Sequence, residues 1–378
     1  MRIAPQLGVL AVVATTGLGL TAVPAAASPA PHAAAAAITS LQAVPVGVSV
    51  QSAGNAWAVS QGPAPGYDAI LHWNGTQWTK MTYPGEAHGA LLYAVTALSA
   101  SDAWAVGTVT DHWDGTRWTK VAAPIPVSSK GPQNLCAVDG DASSDVWAVC
   151  GKLVLRWDGA SWTQVTPPSR IAFSAVAAIS PSDVWLVGSG GALGKGLVTR
   201  AVHWDGTSWT RVRTPSPTVG TDAEARLTSV SAAAADDIWA VGRYTTSAGL
   251  GRSLALHWNG TRWTQARIPN PVTGAELTGV ELHSVYAVSP SLAWAVGETV
   301  TNSGGTFTTR NLLLEWNGTA WKRVPTPQPG SPDGGFSTLE DVSASSASSA
   351  WAVGWYQTSG GTDRTLMLHW NGTSWTRS

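Results

Sequence analysis

The sequence predicts an all-β fold, a seven-bladed β-propeller with four antiparallel strands per blade, and three observations lead there. Twenty-one of the 22 Trp fall into seven sets of three. Each set encloses the same Asx-Gly turn, and a Val precedes each set at a fixed distance. The units repeat at between about 40 and 57 residues. A four-stranded unit of that size cannot bury both its faces alone, and radial packing of such sheets into a ring is the architecture with that period.

Within each unit the elements follow in order. Val48, Val95, Val138, Val176, Val230, Val285 and Val342 mark the first strand, each nine residues before the first Trp of its set. A turn-forming stretch such as Ser180-Pro181-Ser182-Asp183 leads into the second strand. That strand carries Trp57, Trp104, Trp147, Trp185, Trp239, Trp294 or Trp351, with a Val two residues later, which is strand-period spacing. The second and third Trp bracket Trp-(Asn/Asp)-Gly-(Thr/Ala)-x-Trp seven times, as in Trp73-Asn74-Gly75-Thr76-Gln77-Trp78. Asx-Gly between apolar runs predicts a tight hairpin, because both residues tolerate positive φ. In the fifth unit the four strands are expected at 227–232, 238–242, 254–258 and 262–266. Indoles bury on the order of 150 to 250 Å² each and suit the gaps between twisted blades, so the repeat Trp are expected to be structural.

A formal net charge of -1 with 12% charged residues excludes a basic nucleic-acid binder and a charged disordered tail. Residues 1–27 read as a signal peptide, with Arg2, an apolar run over 7–23 and Ala25-Ala26-Ala27 as a small-residue cleavage site. Residues 28–37 form a Pro/Ala-rich leader, and 38–378 the propeller. No later stretch reaches the roughly 20 continuous apolar residues a spanning helix needs. A secreted, extracellular protein without membrane insertion is therefore expected. The units allow every blade to be built from contiguous residues; 38–44 is a candidate extra outer strand for the last blade.

The repeated order of a Val-bearing strand, then Ala-Trp-Ala-Val-Gly, then Leu-x-Leu-His-Trp-Asn-Gly-Thr-x-Trp-Thr and a Pro-rich link resembles kelch and tectonin propeller repeats over about residues 41–378. It departs from kelch where Gly242 is followed by Arg243 and not by a second Gly. The Asx-Gly turn also looks like a shortened relative of the Asp-box of sialidases. The tectonin resemblance implies sugar binding; the kelch resemblance implies a protein–protein scaffold.

Spacing locates the face that carries function. The Val-to-Trp distance is nine in all seven units and the second-to-third Trp distance is five. First to second Trp spans 16, 9, 10, 19, 19, 22 and 19 residues, and the unit-to-unit links vary as well. In an antiparallel meander those two variable links emerge at one end, so all length variation gathers on one face, where binding is expected. Polar and aromatic residues outside the repeat are the candidate ligand contacts: Arg243, Tyr244, Arg252, Phe307, Arg310, Trp355, Tyr356 and Arg364. Trp355 is the one Trp outside the triplets. A ring face paired with Arg donors suits a sugar.

Other chemistry reads as structural. His72, His112, His203, His257 and His369 precede the second Trp of their units, and equivalent positions on separate blades radiate apart, so no metal site is expected from them. The alternating oxygens of Asp139-Gly140-Asp141-Ala142-Ser143-Ser144-Asp145 suggest a calcium loop, but the equivalent 231–237 is mostly Ala and the closing Glu is missing. Cys136 and Cys150 fall on the first two strands of unit three and are expected to form a local disulfide. Asn-Gly-Thr matches a glycosylation acceptor, yet Asp replaces Asn in three units, so the turn is the common requirement. The inner-strand positions read as Ala, Ser, Thr and Val, from which no catalytic constellation assembles. The expectation is an exported, non-catalytic protein without cofactor or metal, binding glycan, cell-envelope material or a protein through its long-loop face. The alternatives are a protein–protein scaffold and a loop-built hydrolase or lyase.

Overall fold

The computed structural model describes residues 43–62, 68–86, 89–129, 131–168, 170–191, 196–217, 224–269, 277–329 and 335–378. They form seven four-stranded antiparallel sheets, each built from four consecutive strands. The first strands, Val44–Ser52, Leu92–Ser99, Ala137–Ala142, Ala172–Ser180, Ala225–Ala234, Leu277–Ser289 and Ser337–Ser346, line a central channel of about 230 Å³. A two-residue hairpin, Val127–Ser128 with Gly131–Pro132, decorates the link between blades 2 and 3.

The register explains the fixed Val. In every blade it pairs with the residue after the first Trp, as in Val48 with Ala58 and Val230 with Ala240. Two residues before the Val the first strand is bulged, at Val46, Tyr93, Ser174, Thr228, His283 and Glu340, each extra residue lacking a partner on the second strand. The Gly of Ala-Val-Gly lies against this bulge: at Gly242 or Gly354 a Cβ would collide with a first-strand carbonyl.

The indoles form seven equivalent seams. Trp57 of blade 1 meets Trp113 and Trp118 of blade 2 with ring centroids 4.9 and 5.0 Å apart. Trp351 of blade 7 meets Trp73 and Trp78 of blade 1 at 4.9 and 5.0 Å, so the last seam repeats the first and closes the ring. The first Trp of each set is at most 2% exposed. His72, His203 and His369 lie on the first Trp of their own blades with centroids 4.3 to 4.6 Å apart. His203 also bonds Asp183 at 2.8 Å, and Arg156 takes the same place over Trp147 at 5.0 Å. These His are structural.

Among the described residues closure uses no strand exchange: blade 7 ends with its own fourth strand, Trp375–Arg377. Val44 opens the inner strand of blade 1 and does not extend blade 7; residues 38–42, like residues 1–37 where the signal peptide and leader are expected, lie outside the described residues. Side chains stitch the joint instead. Val48 N donates to Asp341 Oδ2 at 2.8 Å, Val50 N to Ser343 Oγ at 2.9 Å, and Thr365 Oγ1 to the Ala43 carbonyl at 2.6 Å. The same stitch recurs from blade 3 to 4, Ala178 N to Asp139 Oδ2, and from blade 5 to 6, Ala287 N to Ser231 Oγ, both at 3.0 Å.

The blade 5 strands, Ala225–Ala234, Asp237–Thr245, Gly251–Trp258 and Trp263–Gln265, run past the expected limits of the middle pair, because the ladder continues through Arg243–Ser253 and Tyr244–Arg252. The Asx-Gly turn also differs from expectation. Only the Gly takes positive φ, 93° at Gly75 and 83° at Gly260, while the Asx acts through its side chain. Asn259 Oδ1 accepts from Thr261 N, Thr261 Oγ1 and Arg262 N at 2.8 to 3.1 Å.

Candidate functional site

The two ends of the ring are built differently. At the fixed end all seven second Trp donate Nε1–H to a carbonyl of their blade's first turn, from Trp73 to Ala53 at 3.0 Å round to Trp370 to Ala347 at 2.9 Å. At the long-loop end nothing is uniform. The second strand stops three residues past its Trp in blades 2 and 3, at Gly107 and Cys150. It runs six past in blades 5 and 7 and nine past in blade 6, to Ser303. At roughly 3.3 Å per residue, the blade 6 hairpin rises on the order of 20 Å above its low counterparts.

The eight predicted contacts separate into three groups. Arg243 and Trp355 come to the channel mouth: Arg243 Nη1 lies 3.2 Å from Glu281 Oε2, and Trp355 Nε1 donates to Glu340 Oε1 at 3.2 Å. Tyr244 and Tyr356 are half-buried and pack into blade seams. Tyr356 also accepts from Arg377 Nη2 at 2.6 Å, with that guanidinium 4.6 Å from its ring. Arg252, Phe307, Arg310 and Arg364 stand on the hairpins; Arg252 bonds the Gly251 carbonyl, and Phe307, 51% exposed, lies beside the tip of blade 6.

The bulges complete the site. They turn Val46, Tyr93, Ser174, Thr228, His283 and Glu340 into the channel, with Cys136 in the same slot of blade 3. The mouth is therefore graded, from apolar and aromatic on blades 1 and 2 to His and carboxylate on blades 6 and 7. This corrects the expectation that inner-strand positions hold only Ala, Ser, Thr and Val. Asp139 and Asp341 lie deeper, and burial pushes each carboxyl up to about 6.

A second tier lies at one cross-strand position. Blade 5 pairs Arg226 with Arg243, blade 6 pairs Glu281 with Glu298, and blade 7 pairs Thr338 with Trp355. Like charges directly opposite repel, and here each pair is compensated by its neighbour. Arg226 Nη2 reaches Glu281 Oε1 at 2.7 Å and Arg243 holds the other oxygen. Burial raises the Glu298 carboxyl above the ordinary range, with His283 and Thr338 opposing the shift and Glu340 and Glu281 adding to it. His283 Nδ1 donates to the Leu339 carbonyl at 3.0 Å, with Glu340 Oε2 at 3.5 Å.

Sequence reasoning missed Glu281, His283, Glu298 and Glu340. Three of the seven Glu of the chain gather here. The readable signal was the residue two before each Val, which strict strand alternation assigns to the wrong face. The predicted disulfide joins Cys136 to Cys150, with Cα atoms 5.1 Å apart, on the low side of the mouth. Of the acids of the suggested calcium loop only Asp141 and Asp145 come together: Asp139 faces blade 4, and Asp145 also bonds Arg156 at 2.6 Å. Among the described residues no three His, Cys, Asp or Glu side chains form a metal-holding group.

No family model matches the sequence, and no curated protein matches it. Solved structures do share the fold. A structure of YCF48 bound to D1 peptide is 12% identical with a TM-score of 0.52, covering 88% of this chain and 94% of that one. The GH74 xyloglucanase from Xanthomonas campestris is 13% identical with a TM-score of 0.59, covering 90% of this chain and 53% of that one. The propeller domain of the Trilobed protease from Pyrococcus furiosus, described as having an open velcro topology, is 7% identical with a TM-score of 0.51, covering 89% and 97%.

Proposed function

We propose that this chain is an exported binding propeller that holds a polyhydroxyl ligand, a glycan or cell-envelope polysaccharide, at the long-loop mouth of its channel. The observation that carries the reading is the tier of Arg226, Arg243, Glu281, Glu298, Glu340 and Trp355 on blades 5 to 7, beneath the tallest hairpins. Carboxylates and guanidinium groups offer directional acceptors and donors to ring hydroxyls, and Trp355 adds apolar surface for a sugar's C–H face. The fold likeness to a xyloglucanase is compatible with this reading.

The experiment is a glycan array on the purified protein followed by calorimetry. Trp355→Ala and Glu340→Gln are each expected to weaken the best sugar about tenfold, the loss of one contact involving a charged or aromatic group. Tyr244→Ala, at a packed position, is the control for folding. A protein segment is the second reading, favoured by the excess of carboxylate on blades 6 and 7, which a basic side chain would neutralise. An array without hits, together with a protein captured from envelope extract whose binding Glu340→Gln weakens, overturns the glycan in its favour.

A further inference from the structure

The walls of the mouth are uneven, and their unevenness decides where a ligand longer than the mouth can go. The tier of Arg and Glu is centred on blade 6, which also carries the tallest hairpin. In a ring of seven, the seam diametrically opposite blade 6 lies between blades 2 and 3. Those are the two blades whose second strands stop three residues past their Trp, at Gly107 and Cys150. In blades 4 to 7 the second strand runs five to nine residues past it, to Gly190, Thr245, Ser303 and Gln357. Among the described residues the mouth is therefore lowest on the side that faces the tier.

That low side carries an open groove of about 390 Å³, lined by Gln133, Asn134, Cys150, Gly151 and Lys152. Two contacts join it to the mouth. Asn134 Nδ2 donates to the Tyr93 hydroxyl at 3.1 Å, and Cys150 is bonded to Cys136, while Tyr93 and Cys136 both line the channel. Both banks are fixed by backbone bonds. On one, Gln133 N donates to the Pro126 carbonyl at 2.8 Å and Leu135 N to the Gly107 carbonyl at 2.9 Å. On the other, Gly151 and Phe173 exchange two bonds, at 2.7 and 2.8 Å, across to blade 4. Blade 2 closes its equally short hairpin without a disulfide, Gly107 N donating to the Val109 carbonyl at 2.8 Å, so hairpin length alone does not call for the one in blade 3. The disulfide pins the bank nearest the mouth, and a groove held open in this way costs little ordering when it is filled. Gln133 and Lys152 are exposed and Asn134 is half-buried, so the groove offers amide and ammonium donors on apolar stems, a set that suits hydroxyl groups.

Resting on the glycan reading of the mouth, we propose that this groove is a second subsite for the same ligand, and that the ligand is a linear glycan chain anchored at the tier and leaving over blades 2 and 3. A chain held against blade 6 and running along the diameter of the ring passes Tyr93 and reaches Asn134 and Lys152. A compact or highly branched sugar fills the mouth alone and gains nothing from the groove. Two linked contacts raise affinity without any new contact at the first, which makes chain length the readout.

The test is calorimetry of the full chain with linear cello-, manno- and chito-oligosaccharides from dimer to hexamer, and with the size ladder of whichever sugar binds best on the array. Affinity is expected to rise with length by about tenfold and then level off, as filling one further subsite requires. Gln133→Ala combined with Lys152→Ala removes two exposed side chains and is expected to bring the hexamer down to the affinity of the dimer. Gly151→Asn is expected to do the same by filling the groove, since Asn suits the φ of 60° there and a Cβ meets open space. Thermal midpoints check that both variants are folded. A dimer that binds as tightly as the hexamer, or a hexamer advantage that survives in both variants, overturns the subsite and leaves the reading of the mouth standing. Binding of no oligosaccharide, short or long, overturns both. Capture of an extended polypeptide that Lys152→Ala weakens, with no glycan bound, assigns the track to a protein and likewise overturns both.

Discussion

The two ends of this ring share the same strands and obey opposite rules. At the fixed end each blade repeats the same pattern: an indole N–H on a turn carbonyl, an Asx oxygen gathering three donors, or two in blade 3 where Ala160 replaces Thr, and a Gly at positive φ. At the other end the second and third strands run as far as their sequence allows, from a two-residue reversal in blade 3 to the tall ribbon of blade 6. The difference teaches where selection for stability acts and where the scaffold is free. Turns that must present a bond to the blade core cannot change length, whereas a hairpin that climbs away from it can.

The largest test of the fixed end is the seam. Trp239→Ala removes an indole packed between Trp316 and Trp321 at 4.8 and 4.9 Å. Equilibrium denaturation is expected to show a loss of about 3 to 5 kcal/mol, the usual range for emptying a large aromatic site. Trp355→Ala, outside the triplets, is expected to lose far less stability while affecting the ligand. Equal losses would erase the distinction between structural and rim indoles.

Next in size is the channel. Asp341 and Asp139 have folded pKa values raised from the ordinary 3.8 to about 6, with burial the first cause in both. A raised carboxyl contributes no penalty below the unfolded pKa and an increasing one as pH climbs through the folded pKa. Stability is thus expected to fall between about pH 4 and pH 7, by on the order of 2 kcal/mol for each group. The Asx-turn carboxylate Asp114 is held down to about 2 by the Thr116 hydroxyl and the backbone N–H groups of Arg117 and Thr116, so its effect lies below this window. Denaturation midpoints of wild type and Asp341→Asn from pH 5 to 8 check this. A profile in Asp341→Asn as steep as wild type would show that the joint of blades 7 and 1 does not titrate.

How much of this was legible in the sequence depends on parity. The blades were readable because Trp, Val and Asx-Gly recur at fixed intervals, and the disulfide because Cys136 and Cys150 flank one predicted hairpin. Arg243 and Trp355 were readable as departures from the repeat. His283 and Glu340 were not, because a bulge inserts one residue and reverses which side chains face the channel. The buried Asp111 of blade 2 was overlooked for another reason: the first and second Trp of that blade stand only nine positions apart, and its four-residue third strand is too short to show a pattern of its own. Counting back from the second Trp does reveal it as the counterpart of Leu71, since each stands two residues before that Trp.

A smaller effect is expected from one Asx turn. Asn259→Ala strips an acceptor from three donors while Gly260 keeps its conformation, and about 1 kcal/mol of destabilisation is expected by urea denaturation. Gly260→Ala, at φ 83° and close to Asp236 Cβ, is expected to be at least as damaging.

The smallest expected change in stability comes from the largest deletion. Replacing residues 302–307 by Asn-Gly would rejoin blade 6 at the Thr301–Thr308 pair and remove the exposed Phe307. The ladder from Thr301 inward stays intact, including the pairs that set Glu281 against Glu298. Shortening a solvent-facing hairpin alters loop-closure entropy only slightly, so the denaturation free energy is expected to move by no more than about 0.5 kcal/mol. Ligand binding is expected to change if the ribbon roofs the mouth. Two residues inserted between Asn259 and Gly260, a third of the length, are expected to destabilise far more, because they part the Asx oxygen from its donors. If the deletion proved the costlier of the two, the length-tolerant end would be carrying the fold, and the assignment of the ligand to that face would lose its physical basis.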